Sequence, residues 1–256
     1  MLVFTLFFQA LLATSAFALP SFKERREARV ARRAGSLRSS HPKITNETHP
    51  EYSPNWAGAI LNADAGTYKS VTATFTVPTP QEPSGSSGTH SAAAWVGIDG
   101  DTCQSAILQT GVDFTVDGTQ VSYQAWYEWF PEAAYNFTDI NFSPGDSVTL
   151  TVTASSTTSG TVVITNNSKD QSVQRALTSD SALCQQDAEW IIEDFEENGS
   201  QVPFANFGTV TFTDASAGTS TGSVGPSGAF LTDIYQDDQL VTSASVSESS
   251  VTVSYV

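Results

Sequence analysis

From about residue 70 onward, apolar and polar residues alternate with a period of two in one short run after another. Val71–Val77, Ser147–Thr153, Thr161–Thr165, Gly208–Thr213 and Val251–Val256 all follow this pattern. Thr, Val and aromatic residues dominate these runs, and Gly, Pro, Ser, Asn or Asp bound them. Such residues suit a pleated surface buried on one side. Helical periodicity is nearly absent, with a turn or two at most near Ser179–Gln185. Many short strands with polar turns predict an all-β chain. The expected architecture is an antiparallel β-sandwich of two packed sheets, of the jelly-roll or concanavalin-like kind. The Gly/Ser/Thr stretches Pro83–Ser91, Ser155–Gly160 and Ala215–Gly228 read as surface loops, too short and local to link domains.

Two runs depart from the pattern of polar outer faces. Tyr123–Phe130 puts Gln124, Trp126, Glu128 and Phe130 on one face and Tyr123, Ala125, Tyr127 and Trp129 on the other. Both faces are bulky, so one is expected to line the core and the other a groove. Asp187–Phe195 aligns Glu189, Ile191 and Glu193 opposite Trp190, Ile192 and Asp194. A carboxylate between apolar neighbours is costly to leave ionised without partners, and such surroundings suit general acid/base work. The same pattern is also met where a sheet turns an aromatic-decorated face to solvent.

The N-terminal part is of another kind. Residues 2–19 are apolar and end on Ala16-Phe17-Ala18, the shape of a secretory signal peptide spanning 1–18. Residues 19–50 are basic and nearly free of large apolar side chains, with a dibasic Arg32-Arg33. They are expected to form a propeptide, and residues 51–256 one domain. Residues 1–50 hold eight basic and three acidic groups, whereas residues 51–256 hold three basic and 24 acidic, a net charge of −21. A basic propeptide lying on an acidic domain would act as an intramolecular inhibitor whose hold weakens as carboxylates protonate.

A total charge of −16 argues against nucleic acid and against an anionic membrane surface as partners. Nothing calls for more than a monomer. Asn46, Asn136, Asn141, Asn166 and Asn198 are glycosylation acceptors by sequence, in keeping with an extracellular product. In an oxidising compartment the two cysteines most economically form one disulfide, Cys103–Cys184.

Other chemistries find little support. Two Cys and three His are too few for a zinc cluster, and no cofactor or metal is called for. His90, the one histidine after residue 50, falls in a Gly/Ser loop and reads as a surface residue rather than part of a Ser-His-Asp triad. Asp99-Gly100-Asp101 reads as a turn rather than a calcium loop. No Asp-Thr-Gly string of an aspartic peptidase occurs; the nearest is Gln109-Thr110-Gly111.

That string opens a resemblance. Asn55–Gly58, Trp95–Asp99, Leu108–Asp113, Tyr123–Phe130 and Ala188–Phe195 together, and in this order, resemble the glutamic peptidases, the eqolisin family. The resemblance runs from about Tyr52 to the C-terminus. It implies a two-sheet sandwich and a secreted acid endopeptidase acting on polypeptides. Carried over residue by residue, it implies Gln109 and Glu189 as the catalytic pair. Glu189 would take a proton from the attacking water and return it to the leaving amine, while the Gln109 amide would hold the water and donate to the oxyanion. Trp95, Asp99, Asp113, Trp126, Glu128 and Phe130 match positions that line or support the cleft. Gln124 stands where the family usually has Asp, and Phe130 where it has Tyr, losing a hydroxyl within reach of bound peptide. Two other readings use the same residues: a jelly-roll glycoside hydrolase with Glu128 and Glu189 as its carboxylates, and a lectin-like module needing neither Gln109 nor Glu189.

Overall fold

The computed structural model describes residues 51–132, 134–197 and 200–256. The expected signal peptide and propeptide, with Asn46 and Asn198, lie outside the described residues. In chain order the strands are β1 (Glu51–Ser53), β2 (Trp56–Asn62), β3 (Ser70–Thr76), β4 (Thr89–Ile98), β5 (Ile107–Asp117), β6 (Gln120–Phe130) and β7 (Tyr135–Asn136). There follow β8 (Ser147–Ala154), β9 (Ser159–Asn166), β10 (Gln171–Thr178), β11 (Asp187–Glu193), β12 (Glu196–Glu197) and β13 (Ser200–Gln201). The last six are β14 (Thr209–Thr219), β15 (Gly222–Val224), β16 (Phe230–Gln236), β17 (Gln239–Leu240), β18 (Thr242–Val246) and β19 (Val251–Tyr255).

All but β12 and β13, which pair with each other as a small hairpin, form two packed sheets. The larger, of nine strands, has the order β1-β16-β2-β11-β4-β5-β6-β7, with β17 beside β16. The other, of eight, runs β10-β9-β8-β3-β14-β19-β18, with β15 beside β14. Pairing is antiparallel except between β1 and β16. The expected all-β sandwich is therefore what forms.

The core between the sheets follows from the alternation. In β3, Val71, Ala73 and Phe75 point inward, and in β8 Val148, Leu150 and Val152 do the same. Phe75 meets Phe212 of β14 at a ring separation of 5.9 Å. Burying a side chain of this size contributes about 2–3 kcal/mol. On the opposite face of this sheet, hydroxyls pair across strands: Thr72 with Thr151 and Thr74 with Thr149, both at 2.8 Å.

Three sequence expectations are corrected. No helical turn forms at Ser179–Gln185, because its amides bond elsewhere: Leu183 N–H to the Thr157 carbonyl, and Gln185 N–H to Asp99. The stretch Ala215–Gly228 is not one loop, since Ala217–Thr219 of β14 pair with Gly222–Val224 of β15. His90 is no surface loop residue; it lies buried at the start of β4, its Nδ1 2.9 Å from the Gly88 carbonyl.

Candidate active site

The nine-stranded sheet buries both of its faces. Ala57, Ala94, Leu108, Ala125, Tyr127 and Trp190 point to the core, while the other face gathers a second apolar cluster including Trp56, Ile60, Trp95, Trp126, Ile191 and Phe195. The polar residues of interest stand within that second cluster.

Strand register fixes their order. Glu189 on β11 lies opposite Gly97 on β4, Gly97 opposite Gln109 on β5, and Gln109 opposite Glu128 on β6. Residues directly opposite one another share a face of the sheet. Glu189, Gln109 and Glu128 thus form one row, with a gap at Gly97. A side chain at Gly97 has no room: a Cβ there would come 2.9 Å from Cζ3 of Trp95 and 3.4 Å from Cβ of Gln109. The Trp95 indole consequently lies on the sheet beside this gap. Gly111, one row on, makes the same allowance for Trp126, whose Cζ2 would be 2.8 Å from an added Cβ. Glycine inside a strand commonly marks such a close approach.

Each polar group is fully or nearly buried, so its bonding matters. Gln109 Nε2 donates to Glu128 Oε2 at 2.6 Å, which orients the amide along the row. Trp95 Nε1 donates to Glu193 Oε2 at 3.0 Å, and Trp56 meets the Trp95 ring edge-on at 5.0 Å. A third row holds Glu193, Ala93, Asp113 and Gln124. Gln124 Nε2 donates to the Phe137 carbonyl at 2.9 Å and so ties the segment after β7 to β6. Four carboxyl groups, of Asp113, Glu128, Glu189 and Glu193, share this face. The three cations after residue 50 bond elsewhere: Lys69 to Gln185, Lys169 to Asp146, and Arg175 lies over the Tyr127 ring.

The structure brings together most of the residues singled out in the sequence: Gln109, Glu189, Glu128, Trp95, Trp126 and Asp113 all lie on one face. Phe130 sits half-buried at the end of β6, packed against the same apolar cluster. Asp99 does not join them. It is fully buried beyond the end of β4, and its carboxylate accepts the backbone N–H groups of Gln185, Gln186 and Asp187. Burial pushes the Asp99 carboxyl up from its ordinary value, against those three donors, which pull it down. Asp187 answers in the opposite direction, accepting from the Thr102 and Cys103 backbone amides at 2.8 and 3.0 Å. The disulfide Cys103–Cys184 closes the same pair of loops, with Cα atoms 6.1 Å apart. These bonds fix the approach to β11 two residues before Glu189. Among the described residues no group of three or more His, Cys, Asp and Glu is placed to hold a metal ion.

Sequence reasoning assigned no site role to Gly97, Gly111, Trp56, Ile60 or Glu193. The glycines carried a signal, since a strand interior seldom gains from glycine. Glu193 shares the alternation of Glu189 and was visible as its partner in parity. Of the acceptor asparagines, Asn166 is spent within the fold, its buried Nδ2 donating to the Asn141 carbonyl and to Asp146, each at 2.8 Å.

A buried carboxyl group and a buried amide thus stand two strands apart on an indole-lined face, with no lysine or arginine beside them among the described residues. The peptidase A4 profile matches residues 54–255, and the chain belongs to that family, the glutamic peptidases. It is 46% identical over 275 residues to aspergillopepsin-2 of Aspergillus niger, covering 96% of this chain and 97% of that one. It is 44% identical over 255 residues to scytalidopepsin B of Scytalidium lignicola, covering 95% of each. The solved structure of scytalido-glutamic peptidase with a peptide-based transition-state analogue is similar at a TM-score of 0.71 and 45% identity, covering 79% of this chain and 98% of that one. The chain is a peptide hydrolase.

Proposed function

We propose that the protein is a secreted acid endopeptidase in which Glu189 and Gln109 act together on a bound polypeptide. The observation that carries this reading is the register itself: an acid and an amide two strands apart on one face, with only Gly97 between them. In the reaction Glu189, as carboxylate, takes a proton from a water as the water oxygen attacks the scissile carbonyl carbon. The carbonyl oxygen becomes an oxyanion, to which the Gln109 amide donates a hydrogen bond. The tetrahedral species collapses when the C–N bond breaks and the proton held by Glu189 passes to the leaving amine. Base and donor contributions of this kind are each worth about a hundredfold to ten-thousandfold in rate. Glu128 holds the Gln109 amide in orientation, while Trp95, Trp126 and Asp113 line the cleft.

Acid operation is supported by charge. Four carboxyl groups on one face repel when all are ionised, and among the described residues no lysine or arginine stands with them. An amide donor does not titrate in the working range, so its bond to the oxyanion survives in acid. Residues 1–18 are read as a signal peptide and 19–50 as a basic propeptide that occupies the acidic domain until acidification. The transition-state analogue bound to the scytalido-glutamic peptidase supports a polypeptide substrate here.

The test is release of soluble peptides from a denatured protein between pH 2 and 7, with an aspartic-peptidase inhibitor present. Wild type is expected to cleave in acid only, and Glu189→Gln to lose at least about a thousandfold in kcat while unfolding at the same temperature. A Glu189→Gln enzyme of undiminished kcat would overturn the assignment.

A further inference from the structure

The row that holds the dyad continues past Glu189. Ile60 on β2 lies opposite Glu189, and Phe230 on β16 lies opposite Ile60. Ile60 is buried within the apolar cluster of the site, whereas Phe230 is 59% exposed, the most exposed aromatic ring among the described residues. Scattered surface apolar residues need no explanation, but a bare ring in register with the reacting groups is in another position. On the Gln109 side the same row ends in a carboxyl group, that of Glu128. The two arms of the row are therefore unlike in chemistry, one apolar and one acidic.

Taking the dyad reading above as its basis, we propose that Phe230, over a floor formed by Ile60, is a specificity-determining wall that receives an apolar side chain of the polypeptide substrate. Neighbouring strands are about 4.8 Å apart, so two steps put β16 about 10 Å from the strand of Glu189. An extended peptide advances about 3.3 Å per residue, and a substrate crossing the strands brings its third residue from the scissile bond to Phe230. The ring loses its water only when that residue is apolar, which converts an exposed aromatic into a source of selectivity.

The experiment uses two series of fluorogenic peptides with one cleavage position, verified by mass spectrometry. The third residue before the scissile bond in one series, and the third after it in the other, is Phe, Leu or Ser. Wild type is expected to favour Phe over Ser by about tenfold in kcat/KM in one of the two series, through KM. Phe230→Ala is expected to abolish that preference and Phe230→Leu to keep part of it, with the Ser peptides as internal reference. A preference that persists in Phe230→Ala, or a wild type indifferent to the third residue in both series, overturns the proposal. Glu189→Gln is assayed alongside: if it still cleaves, the dyad reading falls, while the Phe230 comparison stays readable because it needs only cleavage by the other enzymes.

Discussion

The two sheets share one core and differ on their other faces. The eight-stranded sheet turns outward a polar ladder of threonine hydroxyls, with Thr211 and Thr252 also paired at 3.0 Å. The nine-stranded sheet covers its other face with indoles and sets four carboxyl groups among them. Burying acids without cations costs free energy, and the first sheet has no such burden. Stability and chemistry are thus divided. One sheet presents a plain polar outer face, and the other carries the groups to which the proposed mechanism assigns the reaction.

Substitutions can break this division or sharpen it. The largest effect is expected at Gly97→Val, which puts a branched side chain between Glu189 and Gln109 and against the Trp95 ring. Displacing groups by about an ångström costs about a hundredfold in rate, so kcat/KM should fall at least that far while the chain still folds. Steady-state kinetics beside thermal unfolding would check it. In the opposite sheet Phe212→Ala removes a fully buried ring. It should cost about 4 kcal/mol in chemical denaturation and leave kcat where it was. If kcat fell too, the division between the sheets would be false.

A third prediction concerns the seam. Asp233 on β16 accepts a hydrogen bond at 3.0 Å from the hydroxyl of Thr242 on β18, joining the two sheets. Burial pushes its carboxyl up from 3.8 to about 6, against hydrogen bonds from Thr242 and Ala244 that lower it. The folded protein therefore keeps a proton there that the unfolded chain has released. This contribution is complete in acid below 3.8 and is lost as pH rises from 3.8 through about 6. The loss amounts to about 3 kcal/mol. Asp233→Asn should flatten that part of the stability profile, measured by urea unfolding at pH 3 and 7; an unchanged slope would remove Asp233 from the account. The smallest effect is expected on the outer ladder. Replacing Thr74 and Thr149 together by valine should change stability by less than about 1 kcal/mol and leave cleavage intact, by the same two assays.

The same contrast explains what the sequence disclosed. The strands β3, β8, β9 and β19 were legible because each has one wet face and one dry face, so alternation is visible. The strand β4, with the sequence THSAAAWVGI, shows none, because both of its faces are covered and size rather than polarity varies along it. Glu189 and Glu128 stood out as acids in bulky runs, whereas Gln109 was picked out through the family motif, which gave it and Glu189 catalytic roles and Glu128 a place at the cleft. Their alignment in one row was not readable, since register between strands distant in sequence depends on the whole sheet. Its place inside a strand marked Gly97 as unusual, but did not show what the glycine makes room for. Its function is to be absent as a side chain, which shows only once Trp95 is seen beside it.

The central claim is that Glu189 and Gln109 act as one unit across Gly97. A double-mutant cycle tests it most directly: kcat in acid for wild type, Glu189→Gln, Gln109→Ala and the combined variant. The account predicts strong non-additivity, the combined variant being no slower than the slower single one, because both serve the same water and the same oxyanion. Losses that simply multiply would mean that the two residues act independently, and would contradict it.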